Sequence, residues 1–194
     1  MNRAHVDLYL KNLISKSGIK LIDLFFKNNI NIDIEFIRLG NVGLFYNNEI
    51  YSYADIKSFF ENELEFEVIE NKDLQLVEQI KIAAIELIHY ANNSNSLIRN
   101  SDYISQKLQL PYDKLAKLFS VHANRTLEQY ILALKIEKIK SLLLSNEYSL
   151  SEISYLMGYS SVQYLSNQFK KSTGFTVSEF KNAPSYQLTA LEDI

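Results

Sequence analysis

Residues 160–171 carry polar side chains whose types and spacing suit contact with a nucleic acid. Gln163 and Asn167 lie four positions apart and Lys170 follows three positions later, so a helix places all three on one face. Asn and Gln amides can each form two hydrogen bonds with adenine in the major groove, and Lys can neutralise a phosphate or contact guanine. The same residue types also make an ordinary solvated helix surface. The choice between these interpretations depends on the elements that carry the face.

The elements around this face have the pattern of two helices joined by a glycine turn. Ser149 and Glu152 have the spacing of a capping box, which begins a helix by satisfying backbone N–H groups from both sides. Gly158 ends that helix, because glycine takes the left-handed conformation without strain. Ser160 or Ser161 can cap the next helix. Its inward-facing residues at helical spacing are Val162, Leu165 and Phe169. A helix-turn-helix is predicted.

The whole segment also resembles a known family signature. Its matching residues are Ile153-Ser154, Gly158-Tyr159-Ser160-Ser161, Tyr164-Leu165, Phe169-Lys170-Lys171, Thr173-Gly174-Phe175-Thr176-Val177 and Phe180-Lys181. This run resembles the signature of the AraC/XylS family of bacterial transcription regulators. Ser154 stands where that family usually has Ala, and Val177 where it usually has Pro. The resemblance implies sequence-specific DNA binding, with contacts from Ser161, Gln163, Tyr164, Asn167, Lys170 and Lys171.

A second and more divergent copy of the unit is predicted upstream. Ser101 to Leu108 has the pattern of a short helix capped at Ser101, and Leu110-Pro111 makes the turn into a helix over residues 112–120. By resemblance, the base-reading positions here fall on Asp113, Ala116 and Lys117, and the predicted DNA-binding residues are Asp113, Lys114 and Lys117. Asp can accept from cytosine N4 but faces phosphate poorly. We therefore expect this copy to contribute less affinity, and Lys117 also fits a plain solvated surface.

A long amphipathic helix is predicted between the two copies. Thr126 and Gln129 form a second capping box, and the apolar spacing continues to about Ser145. A helix of about twenty residues spans about 30 Å at 1.5 Å per residue. Successive major grooves recur about every 34 Å on one face of a duplex, so the two copies can enter neighbouring grooves. Thr176 and Glu179 form a third capping box before a short last helix.

The first seventy residues have a different pattern, in which strands alternate with helices. Residues 5–10, 31–39, 42–46 and 65–69 read as strands, with Ile32, Ile34 and Phe36 expected on one face. Helices are predicted over residues 17–28 and 52–64. The order strand, helix, strand, strand, helix, strand is the ferredoxin-like βαββαβ plan. The predicted fold class is therefore α+β, with this domain followed by an all-α domain of the AraC type.

This plan also resembles small heavy-metal-associated domains, in which two cysteines after the first strand clamp a soft metal. Ser15 and Gly18 stand at those two positions. A hydroxyl and a hydrogen cannot hold a soft cation, so we expect no metal at this loop. A degenerate sensor or dimerisation module and a plain packing domain both remain open for residues 1–71, because fold alone does not fix function.

Charge is segregated along the chain. Residues 1–71 contain 7 Lys or Arg and 11 Asp or Glu, whereas residues 97–182 contain 11 and 7. The basic excess thus falls on the segment predicted to meet phosphate. We place domains at residues 1–71 and 72–183 and a loose tail at 184–194, with a helix over residues 74–91 and a polar break at residues 92–96. The expected partner is double-stranded DNA. RNA polymerase and a second copy, bound through the N-terminal domain, are further partners that the resemblance implies.

Several function classes are disfavoured by the residues present. The chain has no cysteine, and its three histidines show no metal-ligand spacing. His89 reads as a surface or half-buried packing residue, and the acidic run at residues 61–67 reads as a solvated face. No phosphate loop or nucleophile motif is present, so we expect neither an enzyme nor a cofactor. No apolar run suits a membrane span, and a cytoplasmic protein is expected. The alternative function is a protein-interaction adaptor that uses the acidic N-terminal domain and retains a vestigial DNA-binding domain.

Overall fold

The computed structural model describes residues 2–90, 99–182 and 188–194. Its contacts divide the chain into two compact units, Met1–Ile82 and Ala83–Ile194. The sequence places the boundary near Asn71, whereas helix α3, over Lys72–Ile85, begins within the first unit. There the Glu78 carboxylate accepts the Asn12 N–H at 3.0 Å. The polar break predicted at residues 92–96 lies outside the described residues.

The N-terminal unit is a three-stranded antiparallel sheet with helices packed on one face. Its strands are β1 (Arg3–Tyr9), β2 (Ile32–Arg38) and β3 (Asn41–Asn47), in the spatial order β1-β3-β2. Its helices are α1 (Lys16–Phe26) and α2 (Tyr53–Ser58), and α2 continues as a π-helical turn over Phe59–Glu63. Leu8, Val42 and Leu44 of the sheet pack with Ile22 and Phe60 of the helical layer in one buried core. A mixed α and β unit is thus confirmed.

The full βαββαβ order is not confirmed, because no fourth strand forms among the described residues. Val68 makes only an isolated bridge with Leu10, supported by hydrogen bonds from Lys11 N–H to the Glu67 carbonyl and from Ile69 N–H to the Tyr9 carbonyl. This contact comes at the very end of β1. Glu65 has a φ of 59°, which turns the chain just before the contact. The resemblance of this unit to heavy-metal-associated domains stays a prediction.

The predicted face of β2 is wrong beyond Glu35. The pairing of β2 with β3 shifts register between Ile34 and Phe36, which is a β-bulge. The Phe36 ring therefore lies over Gly43, where an added Cβ would sit 2.3 Å from a ring carbon. Ile37 instead packs against the core with Ile34. A period of two cannot show such an insertion, because both phases of IDIEFIR contain large apolar residues.

All elements of secondary structure in the described part of the C-terminal unit are helical. The π-helical turn Glu86–Tyr90, which follows α3, packs on α6. The other elements are α4 (Asn100–Leu108), α5 (Tyr112–His122), α6 (Leu127–Ser145), α7 (Leu150–Leu156), α8 (Val162–Thr173), α9 (Val177–Asn182) and a 3-10 turn (Leu191–Asp193). Ile139 of α6 is fully buried with Ile153 of α7, Phe169 of α8 and Phe180 of α9. On the other side of α6, the rings of Phe119 and Tyr130 lie 5.2 Å apart. Two helix pairs are thus built on one central helix.

The three predicted capping boxes are confirmed. Thr126 with Gln129, Ser149 with Glu152, and Thr176 with Glu179 each exchange hydrogen bonds between side chain and backbone in both directions. The predicted cap at Ser101 is wrong, because α4 begins at Asn100 with Arg99 as its N-cap and no side-chain cap. Ser101 lies inside the first turn, where its hydroxyl contacts Asp102 at 3.3 Å.

Part of the predicted C-terminal tail contacts α6. Glu137, only 8% exposed, accepts from the Thr189 N–H at 2.9 Å and from the Thr189 hydroxyl at 3.1 Å. Arg125 also donates to the carbonyl of Ile194. Residues 184–187 of the tail lie outside the described residues. Across residues 2–90, 99–182 and 188–194, the structure contains no helix with the length and apolar character that a membrane crossing requires.

Candidate nucleic-acid interface

Helix α8 is held in one rotation by its buried face. Leu165 and Phe169 are fully buried against α6 and α7, four positions apart. Gln163, Asn167 and Lys170 are all exposed on another side of the same helix. A polar face fixed in this way is already oriented before any ligand arrives, so little conformational entropy remains to be lost on binding. The structure therefore brings together the three residues from which the prediction began.

Gln163 and Asn167 form a pair on the exposed face. The Gln163 amide nitrogen donates to the Asn167 side-chain oxygen at 3.0 Å. Each amide retains hydrogen-bonding capacity, since an amide group has two donors and an acceptor with two lone pairs. Each amide therefore still presents a donor and an acceptor, the arrangement by which a single Asn or Gln side chain recognises the major-groove edge of adenine.

The other predicted residues of α8 have different local roles. Ser161 is the N-cap of the helix, and its hydroxyl oxygen accepts the Tyr164 N–H at 3.1 Å. Tyr164 is 55% exposed and its ring lies 5.8 Å from that of Tyr159. Lys171 is exposed in the last turn of the helix beside Lys170. Ser161 thus has a structural duty at the helix start, while the other two present accessible groups.

Helix α5 is a structural copy of α8. Residues 111–120 show the same order of exposed, half-buried and buried positions as residues 161–170. Leu115 and Phe119 are fully buried, as Leu165 and Phe169 are in α8. The position of Gln163 corresponds to Asp113, and that of Asn167 to Lys117. Asp113, Lys114 and Lys117 are exposed, as predicted from the sequence.

The two copies differ in charge at the end of the helix. Where α8 has Lys170 and Lys171, α5 has Ser120 and Val121. Val121 is 68% exposed and carries no charge. The α5 surface therefore carries fewer groups that can neutralise phosphate.

A cleft of about 450 Å³ lies between the two copies along α6. Its lining includes Tyr112 of α5, Glu128 and Lys135 of α6, Tyr159 of the turn between α7 and α8, and Tyr164 and Gln168 of α8. Lys135 could not be recognised from the sequence, because it is one of three lysines in a helix whose polar positions show no distinctive spacing. Only the packing of three helices reveals that this lysine lines a concave surface.

The loop in which the predicted resemblance would place a metal site caps a helix in the structure. The Ser15 hydroxyl caps α1 by accepting the Gly18 N–H at 3.1 Å. A Cβ on Gly18 would come within 2.8 Å of Leu13. Within the described ranges, no group of three His, Cys, Asp or Glu residues could hold a metal ion.

Part of the chain is similar to known proteins. A family model described as a helix-turn-helix domain matches residues 104–183. The xylose operon regulatory protein of Escherichia coli K12 is 31% identical over 118 residues, which are 61% of this chain and 30% of that protein. An uncharacterized HTH-type transcriptional regulator in the cgkA 5' region of Pseudoalteromonas carrageenovora is 30% identical over 108 residues, covering 54% of this chain and 63% of that protein. The chain thus spans less than a third of the first relative.

A solved structure gives a weaker likeness. A transcriptional regulator from Chromobacterium violaceum, described as an AraC-type DNA-binding domain-containing protein, is 20% identical with a TM-score of 0.45. The match covers 55% of this chain and 95% of that one.

Proposed function

We propose that the protein is a transcription regulator of the AraC type that binds specific duplex DNA sites, because a family model described as a helix-turn-helix domain matches residues 104–183. Helices α5 and α8 enter successive major grooves, and α6 holds them apart. The observation that carries the proposal is the hydrogen-bonded Gln163–Asn167 pair on the exposed side of a helix whose other side is locked in the core. The 19 residues of α6 give a length of roughly 28 Å, close to the spacing of neighbouring major grooves.

A selection experiment tests this proposal. The protein is incubated with a pool of random duplexes, and the retained duplexes are sequenced after several rounds at about 0.1 M salt, where nonspecific binding is weakened. We expect an enriched site of two half-sites separated by about one helical turn. The half-site that meets α8 is expected to be the better defined, because α5 offers Asp113 where α8 offers Gln163. A pool without any enriched sequence contradicts the proposal.

A second candidate function is supported by the surface of α5. Asp113 repels phosphate, and the exposed Val121 has no group that can neutralise one. In this alternative the protein is an interaction adaptor with a vestigial DNA-binding domain, and the acidic N-terminal unit binds the partner. Retention on immobilised duplex DNA separates the two functions. A regulator is retained at low salt and elutes as salt rises, whereas an adaptor passes through.

Two further partners belong to the proposal. A second copy of the chain can bind through the N-terminal unit, since β1 is an edge strand of its sheet and edge strands readily pair with another chain. Light scattering tests this, with a dimer as the expected result.

RNA polymerase is the other proposed partner, as expected for a regulator acting at promoters in the cytoplasm. Co-purification of the polymerase on a promoter fragment, only in the presence of the protein, supports it.

A further inference from the structure

The cleft between the two DNA-binding copies contains a lysine with spare hydrogen-bonding capacity. Lys135 Nζ donates to the carbonyl of Met157 at 3.2 Å and lies 5.7 Å from the centre of the Tyr159 ring. An ammonium group has three donors, so one carbonyl leaves two available. No carboxylate in the described ranges forms an ion pair with Lys135, unlike Lys140 on the same helix, which contacts Glu137 at 2.6 Å. Burial lowers the pKa of Lys135, and no neighbouring acid offsets this effect.

A charge that is removed from water without an acidic partner is costly, and an incoming anion would relieve that cost. The cleft also contains Tyr159, Tyr164 and Gln168 as uncharged groups near the Lys135 end. Its one carboxylate, Glu128, lies seven residues before Lys135 on α6, roughly 10 Å along the helix axis. Glu128 is engaged there, because it accepts from the Tyr112 hydroxyl at 2.8 Å. The Lys135 end is therefore suited to an oxyanion.

The position of the cleft identifies the source of that anion. Tyr112, the first residue of α5, lines one side, and Tyr164 and Gln168 of α8 line the other. Tyr164 and Gln168 directly follow Gln163 and Asn167 in sequence. A duplex whose neighbouring major grooves receive α5 and α8 must carry the intervening backbone past this cleft. We propose that Lys135 binds a backbone phosphate of the duplex between the two major grooves, so that the cleft clamps the segment no recognition helix enters. This inference rests on the proposed DNA binding.

The test combines protein variants with duplexes that lack one charge. The selected duplex is prepared with a single neutral methylphosphonate at each successive position between the two half-sites. Affinities are measured over a range of salt for the wild type, Lys135→Gln, Lys135→Arg and Lys138→Gln. Gln keeps a donor for the Met157 carbonyl, so it removes the charge with little effect on the helix. Lys138 is the matched control, because it lies one turn further along α6 and does not line the cleft.

The expected result is a loss of affinity confined to one charge pair. Lys135→Gln should bind several-fold more weakly near 0.1 M salt, and its plot of log K against log salt should be shallower by about 0.9. Lys135→Arg should retain the wild-type slope, as should Lys138→Gln. A methylphosphonate at one or two central positions should weaken the wild type several-fold and have no further effect on Lys135→Gln. Thermal melting of each variant checks that the fold is intact, since a purely structural lysine would lower the melting temperature without changing the slope.

Other outcomes overturn the inference. If no methylphosphonate position couples to Lys135, the backbone assignment is wrong. If inorganic phosphate then raises the melting temperature of the free wild type, relative to chloride at equal ionic strength, but not that of Lys135→Gln, the cleft binds a small free anion instead. If Lys135→Gln keeps the wild-type salt slope while Gln163→Ala still loses sequence preference, Lys135 does not bind a backbone phosphate. The proposed function is then unaffected. If the wild type binds no duplex at all, both the phosphate contact at Lys135 and the proposed function are wrong.

Discussion

Two amide side chains on α8 are the groups on which sequence preference is expected to depend. Gln163 and Asn167 hold each other at 3.0 Å, so replacing one also releases the other. We expect Gln163→Ala or Asn167→Ala to cost about 1–3 kcal/mol of binding to the selected site and to broaden the bases accepted there. The double variant should lose less than the sum, because the two side chains act as a pair.

This expectation is measured with the selected duplex and with duplexes changed at single base pairs. Gln106→Ala is the control, since Gln106 is an exposed glutamine of α4 outside the α8 face. Wild-type affinity and wild-type base preference in both single variants of α8 would mean that its exposed face does not read the DNA.

His89 links the stability of the fold to pH. Burial, reinforced by nearby Lys138, lowers the pKa of His89 to about 4 from its usual 6.5. The unfolded chain therefore binds a proton between these values that the folded protein does not bind. Stability from this group is fully present above pH 6.5 and decreases as the pH falls towards 4. The sequence reading of His89 as a packing residue agrees with its half-buried position.

We expect the free energy of unfolding to fall between pH 6.5 and 4, and His89→Gln to reduce that fall. Denaturant unfolding at several pH values measures both slopes. His122→Gln is the matched control, because His122 is exposed at the end of α5. Identical pH dependence in wild type and His89→Gln would show that His89 titrates alike in the folded and unfolded states.

At the scale of elements, the turn between α7 and α8 depends on a left-handed residue. Gly158 has a φ of 69°, and the Tyr159 N–H donates back to the Ser154 carbonyl at 2.9 Å, as in a Schellman motif. No atom lies within 4 Å of a Cβ built on Gly158, so the only penalty of a side chain there is conformational. We expect Gly158→Ala to lower stability by about 1–2 kcal/mol.

Gly158→Asn should cost less than Gly158→Ala, because Asn tolerates the left-handed region better. Denaturant unfolding of both variants provides the comparison. Equal stability of the alanine variant and the wild type would mean that the turn can adopt another conformation. The first copy makes the same kind of turn with Gln109 at a φ of 55°, without a glycine.

That difference explains which elements could be predicted from the sequence. Capping boxes and Gly158 are local signals, so α6, α7 and α8 were correctly bounded to within a residue or two. Helix α4 begins without a side-chain cap, so no local signal marks its first residue. The predicted N-cap at Ser101 is therefore wrong. The absence of a fourth strand from the described part of the chain and the bulge in β2 depend on where β1 ends and how β3 pairs, and no local pattern contains that information.

In the whole molecule, one part of the candidate site could be predicted from the sequence and another part could not. The exposed face of α8 follows from helical periodicity and could be predicted residue by residue. The cleft at Lys135 is formed by α5, α6 and α8 together, so its existence depends on packing between helices that are distant in sequence. The similarity of α5 to α8 is likewise clearer in burial than in residue type, since Asp113 and Gln163 share a position but no chemistry.

Charge segregation leads to a prediction for the complete chain. The exposed lysines proposed to meet DNA are Lys114, Lys117, Lys170 and Lys171, and the half-buried Lys135 would provide a fifth phosphate contact. Each phosphate neutralised contributes about −0.9 to the slope of log K against log salt, so we expect a slope of about −4.

Lys170→Gln should weaken binding to all sequences alike and make the slope shallower by about 1. Glu63→Gln with Glu65→Gln, in the acidic N-terminal unit, should leave the slope unchanged, because a carboxylate neutralises no phosphate. Measurement by fluorescence anisotropy between 50 and 300 mM salt separates these cases. A slope near zero in the wild type would favour the adaptor, since a protein that displaces no counterions is not bound along a DNA backbone.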